Sequence, residues 1–209
     1  MNITDTYTIE NNLRVYDSKR VYQYLQFLGN RKYGAHFKLS PADKPILYKL
    51  LIYAIQDEKN CEAEGIDLKK GILLTGPVGC GKTALMTLLP NFMDDEYKYL
   101  IKTTRDIVLD FNREGYQLIN MLGKSPKNYF FDDLGIELPG KYFGNECNAV
   151  AEVMLHRYDN FVHSGTITHA TTNLNAQELE DRYGNRVRSR LREMFNLIAF
   201  DRSTPDKRR

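Results

Sequence analysis

The stretch GILLTGPVGCGKTALM, Gly71–Met86, decides the fold. Apolar Ile72–Thr75 predicts a short buried strand, and Lys82–Leu89 has helical spacing. Between them, Gly76–Thr83 matches G-x-x-x-x-G-K-[ST] in full. A strand enters the turn and a helix leaves it, which is the context that gives this motif meaning. Glycines let the backbone curl so that successive N–H groups converge on phosphate oxygens. The start of the helix adds a positive dipole end. Gly76, Pro77, Val78, Gly79, Cys80, Gly81, Lys82, Thr83 and Ala84 are therefore the candidate nucleotide-binding residues. Lys82 is placed to meet the β and γ phosphates of ATP, and Thr83 to bind Mg²⁺ through its hydroxyl. Cys80 inside the loop reads as a small packing residue or as a redox switch.

Working outward, strand and helix patterns alternate. Tyr97–Lys102, Asn128–Phe131, Thr166–Thr171 and Leu197–Phe200 read as strands, with Cys147–Val162 a helix and two short helices before the last strand. With Ile72–Thr75 this predicts an α/β fold with a five-stranded parallel sheet covered by helices on both faces, the P-loop NTPase class. The strand Tyr129-Phe-Phe131 runs into Asp132-Asp133. An acid at the end of a strand beside a phosphate loop holds Mg²⁺, which suits Asp132, while Asp133 can polarise an attacking water.

Composition limits the other options. A 42% hydrophobic content supports a sizeable core. No apolar run approaches about 18 residues, so no membrane span is expected. The opening MNITDTYTIENN is polar and acidic, unlike a signal peptide, and with three scattered cysteines it predicts a reduced, cytoplasmic protein with no metal or disulfide framework. From Gly184 to Arg209 there are eight basic and three acidic residues, a local +5 within a chain of net +2. Such a basic end suits nucleic acid, an acidic partner, or a solvated terminus.

The segments GPVGCGKT, FFDDLG, ATTNL and NRVRSRL occur in this order. In that combination the chain resembles AAA+ ATPases of the branch containing DnaC-type helicase loaders and IstB-type transposition helpers, over roughly Gly71 to Asp201. The resemblance implies a Mg-dependent ATPase that assembles as a homo-oligomer on single- or double-stranded DNA with a replicative helicase or a transposase. Asn173, after the strand Thr166–Thr171, then resembles the residue that senses the γ-phosphate. Arg190, or next Arg186, resembles the arginine finger that enters a neighbouring subunit's site. Four residues apart on a helix, these two arginines share a face, and repel unless an anion such as a γ-phosphate lies opposite. Asp133 departs from the glutamate many AAA+ proteins carry and is one methylene shorter. Eight residues follow Asp201, so no C-terminal lid is expected and the ATP site is expected to be open.

The resemblance also places a DNA-facing element after the second strand, where Lys102, Arg105, Arg113 and Lys124 can meet phosphates and Tyr116 can stack on a base. Residues 1–69 form a small helical N-terminal region for partner binding, loose over its first fifteen residues, with Tyr33, His36 and Phe37 near the adenine. Residues 70–209 form the ATPase domain. A small-molecule P-loop kinase and a nucleotide-binding scaffold with little hydrolysis are the alternatives.

Overall fold

In the parallel sheet, side chains alternate between two faces, so each strand feeds two cores. The computed structural model describes residues 1–208. Its central strands are β3 (Gly71–Thr75), β4 (Leu100–Thr103), β5 (Tyr129–Leu134), β8 (Thr168–Thr172) and β9 (Phe195–Ala199). They lie in the order β4-β5-β8-β3-β9, and every adjacent pair is parallel. Two short antiparallel hairpins lie outside the sheet: β1 (Tyr7–Glu10) with β2 (Leu13–Tyr16), and β6 (Gly140–Tyr142) with β7 (Asn145–Cys147).

The helices divide between the sheet faces. Ile72, Leu74, Phe130 and Ile198 belong to one apolar cluster with Val21 and Leu25 of α1 (Ser18–Tyr33), Leu47 and Leu50 of α2 (Lys44–Ala54), Cys61 of α3 (Glu58–Ala63) and Leu85 of α4 (Lys82–Leu88). Leu73, Phe131 and Ala170 point the other way. They pack with α5 (Thr104–Glu114), α6 (Tyr116–Gly123), α7 (Ala149–Ser164) and α8 (Ala176–Met194). Fully buried side chains such as Phe130 and Leu74 are each worth about 1.5–3 kcal/mol of transfer free energy. The apolar cluster on the first face runs across residue 70 without interruption, joining the N-terminal helices to the sheet.

Several element boundaries differ from the sequence pattern, each for a local reason. The first fifteen residues are ordered, not loose. Asn11 and Asn12 both take positive φ (49° and 62°), the twist that closes a two-residue hairpin between β1 and β2. Tyr7 and Tyr16 pack at 5.2 Å across it. The strand expected from Tyr97 begins only at Leu100, because Asp95–Tyr97 forms a tight 3-10 turn. The two short helices before the last strand meet at Gly184, whose φ of 82° kinks α8.

One buried side chain ties the second layer to the sheet. Arg157 of α7 is fully buried and donates to Thr168 Oγ1 (2.8 Å), Ser125 O (2.8 Å) and Ile167 O (2.9 Å). Its guanidinium also lies over the Tyr129 ring. Burial pushes its pKa down to about 10, which leaves it charged at neutral pH.

Candidate nucleotide site

The phosphate loop spans the gap between β3 and α4. Gly79 and Gly81 sit at φ of 79° and 107°, a region that β-carbons disfavour. The loop curls so that Lys82, the first residue of α4, turns back into it. Lys82 is 5% exposed, and its Nζ donates to Gly76 O (2.8 Å), Pro77 O (2.9 Å) and Asn173 Oδ1 (2.5 Å). Asn173 follows β8 directly, so the pairing of β3 with β8 brings Asn173 to the loop. Burial lowers the Lys82 pKa, and the nearby Cys80, Asp133 and Asp132 oppose that shift.

The acidic strand end lies beside it. Asp132 is buried, and its Oδ1 accepts hydrogen bonds from Thr83 Oγ1 (2.9 Å) and Thr171 Oγ1 (2.6 Å). Thr83 and Asp132 together present hard oxygen donors of the kind Mg²⁺ takes. Asp133 is half-buried and held at φ 60°. Its N–H donates to Thr171 Oγ1 (2.9 Å) and its carbonyl accepts from Thr104 Oγ1 (2.8 Å). Burial first, then the Asp132 charge, raises the Asp133 pKa, while Lys82 and Arg208 pull it down. The turn after β5 is fixed from below: Glu137 accepts from Gly135 N (2.9 Å) and from the Tyr183 hydroxyl (2.6 Å).

These groups border a cavity of about 670 Å³. Val78, Gly79, Gly81, Lys82, Thr83 and Ala84 of the loop and helix line it, with Asp133 and Asn173 from the neighbouring strand ends. Tyr33, His36, Phe37, Lys207 and Arg208 also line it. Cys80 is fully buried against Gly76, and burial raises its thiol pKa, which fits packing and not a reactive thiolate. Thr171, Thr104, Lys207 and Arg208 were not singled out by the sequence pattern. Thr171 read there only as the end of a β-branched strand, and the two basic residues only as part of a charged terminus.

The arginines of α8 take different settings. Arg190 lies with its guanidinium 4.7 Å from the Tyr158 ring centroid, and Arg186 is exposed. Neither borders the 670 Å³ cavity. Arg188, between them, pairs with Glu180 and faces a second cavity of about 740 Å³ behind β9. In the region after β4, Lys102 is bound to Asp110 (2.5 Å), which also pairs with Arg113 (2.6 Å). Arg105 and Lys124 are exposed. Tyr116 is half-exposed and packs edge-on against Phe111 and Tyr142. Among the described residues, no cluster of His, Cys, Asp or Glu forms a metal site, and no helix is long and apolar enough to cross a membrane.

No protein-family model matches the chain, and comparison with curated proteins gives no match. Solved structures do match in shape. A DnaC helicase loader superposes with a TM-score of 0.57 at 19% identity, over 79% of this chain and 93% of that one. A putative primosome component from Streptococcus pyogenes serotype M3 gives 0.55 at 16% identity, over 79% and 83%. The shared fold is an α/β P-loop NTPase-like one, a five-stranded parallel sheet with flanking helices. AMPPCP-bound DnaA from Aquifex aeolicus shares it, with a TM-score of 0.56 at 18% identity, and this chain spans 48% of its length. Within this fold, the strand order and the position of the phosphate loop put Lys82, Asp132 and Asn173 at the ends of the three adjacent central strands.

Proposed function

We propose that this chain is a Mg-dependent ATPase that assembles on DNA and acts as a helicase loader or transposition helper. One observation carries the proposal: Lys82 bonds Asn173 and Thr83 bonds Asp132, two pairs assembled at three adjacent strand ends, and Lys82, Thr83 and Asn173 line a cavity of about 670 Å³. Lys82 and the loop backbone bind the phosphates, and Thr83 with Asp132 holds Mg²⁺. When bound, Mg²⁺ neutralises charge on the phosphate oxygens. Asp133 accepts the proton of an attacking water, and Asn173 orients the terminal phosphate. The shape shared with a DnaC helicase loader and with DnaA, one of whose structures holds AMPPCP and single-stranded DNA, supports a role in DNA replication. Arg190, with Arg186 second, completes a neighbour's site in an ATP-dependent oligomer. Both lie outside their own chain's cavity, as a finger acting in trans requires.

Lys102, Arg105, Arg113, Tyr116 and Lys124 form the proposed DNA contact. Lys102 and Arg113 contribute least to it, since both pair with Asp110. A second reading, a nucleotide-binding scaffold with little hydrolysis, is favoured by Asp133, a short carboxylate on a backbone held at φ 60°.

ATP turnover measured across protein concentrations, with and without single- and double-stranded DNA, tests the proposal. Turnover rising faster than linearly and rising again with DNA is expected. Linear turnover indifferent to DNA refutes the assembly switch, and binding without turnover supports the scaffold. An Arg190→Ala variant retains ATP binding and loses turnover, and mixing it with Asp132→Ala restores activity. If Arg186→Ala alone behaves this way, the finger is Arg186.

A further inference from the structure

The segment after β9 folds back over the phosphate loop. Phe200 N–H donates to Thr75 O (2.8 Å), which continues the sheet direction, and Ser203 and Thr204 turn on Asp201. The chain then reaches the loop itself, where Lys207 N–H donates to Gly79 O (3.0 Å). Gly79 has no room for a β-carbon, because the Asp206 carboxylate occupies that space. The Lys207 ammonium donates to both oxygens of Asp43 (2.6 and 2.7 Å), a carboxylate 1% exposed, and lies 5.5 Å from the Phe200 ring centroid. Asp43 also accepts from Ser40 N–H (2.7 Å) at the foot of α2. The segment is thus fastened on two sides.

This fastening leaves Arg208 facing the cavity. Among the described residues its nearest carboxylate is Asp206, at 4.0 Å, and its side chain is 72% exposed. Lys207 spends its charge on Asp43. Lys82 then faces Asp132 and Asp133 with one cation against two anions, a poor balance for receiving a triphosphate. Arg208 evens that balance, and its charge is felt at both Lys82 and Asp133. A guanidinium suits this role, because it forms paired, charge-assisted bonds to phosphate and is always protonated.

We propose that residues 201–208 are part of the nucleotide site, with Lys207 as the anchor and Arg208 as a phosphate-binding cation acting within the same chain. The proposal deepens the nucleotide-binding reading and rests on it. The ligand class is a nucleoside triphosphate. Arg208 discriminates it from the diphosphate, because the extra negative charge is what an additional cation rewards.

The test is equilibrium binding of fluorescent ATP and ADP analogues to the full chain. Arg208→Ala weakens the ATP analogue by about tenfold and the ADP analogue by less, the loss of one charge-assisted contact. Arg208→Lys recovers part of the loss. The double variant Asp43→Asn with Lys207→Met, which leaves no buried charge behind, weakens ATP binding similarly by releasing the segment. Its trypsin cleavage after Arg202 is faster and no longer slowed by nucleotide, whereas nucleotide protects that bond in the unaltered protein. Lys82→Ala is the reference. If it binds ATP as before, the phosphate-loop assignment itself falls. If Lys82→Ala loses binding while Arg208→Ala binds normally or more tightly, only the role of the tail is overturned.

Discussion

Replacing Thr171 by Val exchanges a hydroxyl for a methyl of nearly the same shape, so packing is kept and only polar contacts change. Thr171 is fully buried, and its Oγ1 donates to Asp132 (2.6 Å) while accepting from Asp133 N–H (2.9 Å). A bond to a charged acceptor is worth about 1.5–3 kcal/mol, and a buried N–H left without its partner costs about 1–3 kcal/mol. Asp132 keeps Thr83 as a donor, so the lower part of the combined range applies, about 3 kcal/mol. Thr171→Ser keeps the hydroxyl and removes one methyl, for about 0.8 kcal/mol. Urea unfolding followed by circular dichroism separates the two, with an expected difference of about 2 kcal/mol. The second readout is the Mg²⁺ concentration that half-saturates ATP-analogue binding. It rises for Val and not for Ser, because Asp132 loses the group that fixes its rotamer. Equal stability and equal Mg²⁺ requirement for the two variants would refute the view that the Thr171 hydroxyl positions both aspartates.

Other outcomes follow from groups outside the site. His169 is buried between the Tyr53 and Tyr99 rings, its Nδ1 accepts from Ile72 N–H (3.2 Å), and burial lowers its pKa to about 3. The unfolded chain takes up a proton near its ordinary value of 6.5 while the folded chain does not. The stability this histidine confers is therefore complete above about pH 6.5 and is lost as pH falls towards 3. At pH 5 the loss is about 2 kcal/mol relative to a His169→Asn variant; parallel pH profiles in denaturant titrations would contradict this. Arg157→Lys keeps the charge but cannot fork to Thr168, Ser125 and Ile167, so it destabilises by about 2 kcal/mol in the same assay. A melt unchanged from the parent would show that the charge alone suffices there.

The phosphate loop, the acidic strand end and the alternation of strands and helices were legible in the sequence because each rests on local spacing. Lys82, Asp132 and Asn173 each carry a motif, and only the sheet order was needed to bring them together. Thr171 and Thr104 were hidden because a β-branched residue in a strand or at a helix start looks like propensity, and its hydroxyl partner lies on another strand. Lys207 and Arg208 looked like solvated charge, since nothing in their spacing announces the buried Asp43. The first hairpin was missed because its apolar residues Ile9 and Leu13 are 70% exposed and so lack the signature of a core strand. For Arg186 and Arg190, helical spacing gave a shared face but not the surroundings, and Arg190 turns out to be stacked on Tyr158.

The contact between Lys207 and Asp43 joins residues 164 positions apart, so it closes most of the polypeptide into a loop whose Lys207 end lines the nucleotide pocket. In mechanical terms it is a clasp. A pull on residue 208 loads the Lys207–Asp43 ion pair and the Lys207 N–H to Gly79 bond before it loads the hydrogen bonds of the sheet. Opening it frees the segment that carries Arg208 at the pocket, while the strands stay paired.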